Sequence, residues 1–98
     1  MKAEENKIPL AIQEFILLKK AIDKYGEADQ LNLLQEECGE VIVAINHYRR
    51  NRVSWEDVLE EMADVRILID EFAVIGDNSK LLNEIRERKM ARLEERLK

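Results

Sequence analysis

Two long stretches of this chain carry no lysine or arginine, one from Tyr25 to Tyr48 and one from Val53 to Val65. Both are rich in carboxylates, so whatever neutralises those groups must come from elsewhere in the fold or from solution. Cysteine is almost missing too. Cys38 alone excludes an intrachain disulfide and fits a reducing compartment. One proline and three glycines are too few to punctuate a many-stranded fold, and no alternating strand pattern runs beyond a few residues. No uninterrupted apolar run approaches the ~18 residues that would span a bilayer. The opening MKAEENKIPL has no apolar h-region, so we expect a cytoplasmic protein without membrane contact. The net charge of −5 and a pI of about 5.0 argue against wholesale binding to nucleic acid or anionic lipid.

What is present is helical. Ninety-eight residues, 46% apolar and 38% charged, suit one charged all-α domain over 1–98, neither disordered nor all-β. Residues 1–7 are polar, and we expect them to be frayed. Pro9 suits the first turn of a helix with Ile12, Phe15, Ile16 and Ile22 on its stripe, ending near Gly26. A second helix is expected from about Ala28 to about Arg50. A third starts after Ser54, whose hydroxyl can cap the amide of Asp57 while that carboxylate reaches back, and it stops before Gly76. Asp77, Asn78 and Ser79 offer caps for a last helix, with Leu82, Ile85, Met90, Leu93 and Leu97 as its apolar positions. Short connections predict a four-helix antiparallel bundle. The third helix has two apolar stripes, one holding Trp55, Leu59 and Met62 and another holding Leu68 and Phe72. Two greasy sides in so small a chain predict a dimer or higher oligomer.

The carboxylates fall where a helix should be apolar. At 100° per residue, Glu37 shares a face with Leu33, Leu34, Val41, Ala44 and Tyr48, and Glu61 with Val58, Val65, Leu68 and Phe72. Residues i and i+3 project from one side, so Glu37 with Glu40, and Glu61 with Asp64, form two pincers. If the central helices pack side by side, four carboxylates converge. All-oxygen ligation suits hard cations such as Mg²⁺ or Mn²⁺, and the lack of histidine in either pincer argues against zinc or a di-iron centre. Mg²⁺ is commonly completed by substrate phosphates, which points to a phosphate-bearing ligand. Acid pairs at this spacing also arise by chance among 21 acids. Glu84 and Glu87 are such a pair, flanked by Arg86, Arg88 and Lys89 on a solvated face.

The pattern E-x-x-E, twenty residues, then E-x-x-D resembles the signature of the MazG-like all-α nucleoside triphosphate pyrophosphohydrolases. QLNLLQEECGEVIVAINHYRR is similar to the family's second helix, EEMADVRILIDEF to its third, and KMARLEERL to the ending of its short, phage-like members. The likeness covers about residues 22–98. It implies Mg²⁺-dependent hydrolysis of a nucleoside triphosphate between the α and β phosphates, giving a monophosphate and pyrophosphate, in a role such as clearing the nucleotide pool. It implies Glu37, Glu40, Glu61 and Asp64 as metal ligands, and Lys89 and Arg92 as phosphate contacts, with Arg86 a third candidate. Glu36, about 100° around the helix from Glu37, would orient or deprotonate the attacking water, unless it is an ordinary solvated glutamate.

Other residues read more plainly. His47 suits the cation expected at a helix C-terminus, and Cys38 reads as a small buried residue without a neighbouring base. Gln30 and Asn46 are candidates for reading a base edge or ribose, and Tyr48 and Trp55 for stacking, with core packing as the alternative. Two rivals stand beside the enzyme reading. One is a non-catalytic helical adaptor that dimerises through its third helix. The other is a related pyrophosphatase with a specialised substrate such as phosphoribosyl-ATP.

Overall fold

Gly26 adopts φ +89°, a conformation open to glycine and strained for residues with a Cβ. It ends one helix and begins the next. Its N–H donates to the Ile22 carbonyl at 2.8 Å, and its own carbonyl accepts from the Gln30 N–H at 3.1 Å. The computed structural model describes residues 8–98, and the fraying expected of residues 1–7 lies outside the described residues. Helix α1 spans Leu10–Tyr25, α2 Glu27–Arg49, α3 Trp55–Ala73 and α4 Asn78–Arg96. Among the described residues there is no strand. The all-α, four-helix architecture expected from periodicity is the one the chain adopts.

Local chemistry sets the helix ends. Ser54 and Asp57 form the reciprocal cap expected of them: the Asp57 N–H donates to Ser54 Oγ at 3.1 Å, and the Ser54 N–H to Asp57 Oδ2 at 2.9 Å. Between α2 and α3, Asn51 sits at φ +60°, a left-handed position that asparagine tolerates better than most side chains. This tight link returns α3 antiparallel along α2. At the other end of α3, the Asn78 side-chain amide donates to the Phe72 carbonyl at 3.0 Å. The same carbonyl accepts from the Ile75 N–H at 3.3 Å, and α3 ends at Ala73, slightly before the position its periodicity suggested.

The packing is uneven. The α2–α3 hairpin is the centre, and α1 lies against both of its helices. The fourth helix touches α3 and no other helix. Among the described residues only Ile22, Val58 and Leu68 are buried apolar residues, with Val58 fully enclosed. Ile12, Phe15 and Ile16 of the expected α1 stripe remain exposed, because none of the described residues covers the first half of that helix. On α3, Leu68 is buried and Val65 and Phe72 are half-buried, while Trp55, Leu59 and Met62 face outward. The two-sided character expected of α3 is therefore real, and its outer stripe is open. A radius of gyration of 17.1 Å exceeds the roughly 13 Å of a compact chain of this size. Among the described residues, no helix is long and apolar enough to cross a membrane.

Candidate metal centre

The register of the α2–α3 hairpin builds the site. Deep in the interface, Gln30 Nε2 donates to Glu71 Oε1 at 2.7 Å, with both residues buried. Two turns along each helix from that pair, Glu37 comes opposite Asp64, and one further turn sets Glu40 opposite Glu61. The electrostatics report the same pairing. The largest charge acting on Glu37 is Asp64, and the largest acting on Glu61 is Glu40.

Carboxylate oxygens of Glu37, Glu61 and Asp64 lie within 4.8 Å of one another. Glu37 and Glu61 are half-buried, while Asp64 is exposed. Partial loss of water raises the Glu37 pKa above its ordinary 4.5, and Asp64, Glu61, Glu40 and Glu36 push it further up. The Glu61 pKa is raised first by lost hydration, then by Glu40, Asp64 and Glu60. No cation is among these influences, and no ion pair among the described residues reaches the cluster. The donor set is thus three hard oxygens, uncompensated, spread over a distance close to the roughly 4–5 Å across a hard cation's oxygen shell. These residues fit a divalent ion of the Mg²⁺ type.

The other expected site residues fall into two groups. Glu40 is exposed and stands near enough to influence both Glu37 and Glu61, but outside the tight trio. Glu36 is exposed beside Glu37 and acts on it weakly, last among its neighbours. Lys89 and Arg92 line a separate concavity on α4 with Glu95 and Arg96, and Arg86 is exposed on the same helix. Within one chain, the basic residues do not join the acids.

Beside the trio opens a cleft of about 280 Å³, lined by Leu33, Glu37, Asp64, Ile67, Leu68 and Glu71. Glu71 lies outside either acid pair, so the acid spacing does not single it out. It shares a helical face with Asp64 and Leu68, seven and three residues before it, and that spacing is the signal that could have found it. Gln30, a candidate for reading a base, is instead committed to Glu71. Tyr48 and Trp55 pack on each other, with ring centroids 5.2 Å apart and planes tilted by 57°. Cys38, expected to be buried, is exposed. Comparison with protein-family models, with curated proteins and with solved structures finds no match.

The buried pair carries its own expected result. Gln30→Leu removes the donor from an enclosed carboxyl and should lower unfolding stability by about 2 kcal/mol. The readout is a lower urea midpoint at unchanged m-value. Adding Glu71→Leu in the same chain should recover most of that loss, since two apolar groups leave nothing unsatisfied.

Proposed function

We propose that this chain is a Mg²⁺-dependent nucleoside triphosphate pyrophosphohydrolase that works as a self-associated assembly. The observation that carries the reading is the trio of carboxylates, drawn from two helices, with oxygens within 4.8 Å and no positive neighbour among the described residues. Ionised groups so placed repel one another and destabilise the fold, which selection tolerates where function needs them. The likeness of both acidic motifs to the MazG-like pattern supports the same reading.

In this mechanism Glu37, Glu61 and Asp64 would hold the ion, with Glu40 adding to the ring of negative charge. Bound divalent metal would screen the triphosphate, polarise its P–O bonds and lower the pKa of a coordinated water. Water adds across the anhydride between the α and β phosphates, its oxygen ending on phosphorus. The products are nucleoside monophosphate and pyrophosphate, with a proton released to solvent. Glu36, exposed next to Glu37, orients the attacking water or takes its proton on the way to solvent. Leu33, Ile67 and Leu68 provide an apolar wall for the sugar or base. Lys89 and Arg92, with Arg86, supply charge to the leaving pyrophosphate.

The test is a panel of ribo- and deoxynucleoside triphosphates, with phosphoribosyl-ATP included, in excess MgCl₂ and followed by ³¹P resonance. Pyrophosphate appearing from at least one of them, and disappearing in Glu40→Gln, is the expected result. Orthophosphate as the first product, or no cleavage with a melting temperature indifferent to Mg²⁺, would favour the helical adaptor instead.

A further inference from the structure

The fourth helix is the least supported part of the fold. Every residue from Ser79 to Lys98 is exposed, and α4 rests on α3 alone. A 19-residue helix with no buried face is marginal in water by itself. Its composition is nonetheless sorted. At 100° per residue, Leu82, Ile85, Met90, Leu93 and Leu97 occupy one half of the cylinder. Arg86, Lys89, Arg92 and Arg96 occupy that same half. The four glutamates of the helix, Glu84, Glu87, Glu94 and Glu95, all fall on the other.

An apolar face studded with cations and free of acids is built to lie against an apolar surface that is acidic. None of those four cations makes an ion pair among the described residues, although Glu95 stands three places from Arg92. The chain itself contains the complementary surface. Between Glu27 and Asp64 it has ten acids and three bases, the bases confined to the turn at Arg49, Arg50 and Arg52. The α2–α3 hairpin also exposes apolar side chains, among them Leu33, Met62 and Ile67.

The helix does not reach its own hairpin's cleft. The corner at Val74–Asp77 is pinned by the Asn78 side chain on the Phe72 carbonyl and by Gly76 at φ +53°. We propose that α4 of one protomer lies across the α2–α3 hairpin of a second copy, delivering Lys89 and Arg92 to that copy's acidic cleft. Each site is then assembled from two chains. The apolar positions of α4 gain cover, and the bare carboxylates gain their missing positive neighbours. This rests on the hydrolase reading for its chemistry, while the contact itself does not.

The contact is tested first, without activity. In sedimentation equilibrium the wild type should be at least a dimer, and Lys89→Glu/Arg92→Glu should dissociate, keeping the helical circular dichroism of α1–α3 and losing at most that of α4. A monomeric wild type, or a charge-reversed variant that stays associated, overturns the proposal. The shared site is tested by complementation. Asp64→Asn and Arg92→Ala chains, each inactive, are mixed, unfolded and refolded together. Each mixed dimer then holds one intact site, and roughly a quarter of wild-type pyrophosphate release should return. An active wild type whose mixed variants recover nothing places Arg92 with its own chain and overturns the proposal. An associated wild type that cleaves no triphosphate removes the hydrolase reading instead, and the charge-reversal result still decides the contact.

Discussion

Asp64→Asn should abolish pyrophosphate release while raising the melting temperature of the metal-free protein. Asp64 contributes an oxygen to the trio and is the strongest charged neighbour of Glu37. Asparagine keeps the shape and removes the charge, so an attraction for metal is lost and a repulsion within the fold is relieved. Activity should fall by well over ~10²-fold, because even partners one layer outside the ligands are worth about 10–100-fold. The two readouts move in opposite directions, which separates the prediction from simple misfolding. A variant that melts lower than wild type in EDTA would show that Asp64 is a structural residue. Retained Mg²⁺-dependent turnover would remove it from the metal site.

Ligand and proton should compete for the same carboxylates. At a hundred times its dissociation constant, Mg²⁺ with a nonhydrolysable triphosphate should add about 2.7 kcal/mol. For a chain of this size that corresponds to about 10–20 °C in melting temperature. The pH dependence follows from the raised pKa values of Glu37 and Glu61. In the folded state these groups hold their protons above the ordinary 4.5, so folding favours protonation. Their contribution is fully present below the unfolded value and is lost as pH rises through the folded one. The metal-free protein should therefore lose stability as pH climbs from about 4.5 through the raised range. The increment from Mg²⁺ should grow over that same interval, since binding displaces the protons. Urea titrations across pH, with and without Mg²⁺, read both effects. Glu37→Gln/Glu61→Gln should flatten the metal-free curve, and an unchanged slope in that variant would break the linkage.

Much of the fold was legible because its signals are local. Ser54 and Asp57 mark the start of α3 through groups three residues apart, and Gly26 marks the end of α1 through its own φ. The acid pairs were legible for the same reason, as one turn of helix brings i and i+3 together. Cys38 misled because a small apolar residue inside an apolar run looks enclosed, whereas here it is exposed. Glu71 escaped because its significance depends on Gln30, far away in the chain. The α1 stripe was correctly apolar, yet only its Ile22 end found a partner to bury it.

From sequence alone came the helices, their ends and the two pairs of acids one turn apart, all products of interactions within a few residues. Only the tertiary structure decided that Glu37, Glu61 and Asp64 draw together with Glu40 standing just outside, and that α4 carries its cations away from them. Those outcomes depend on how α2 and α3 slide past each other and on the angle at the Val74–Asp77 corner. Both are set by side-chain packing and hydrogen bonds between residues distant along the chain, such as Gln30 with Glu71, and helical periodicity is blind to them.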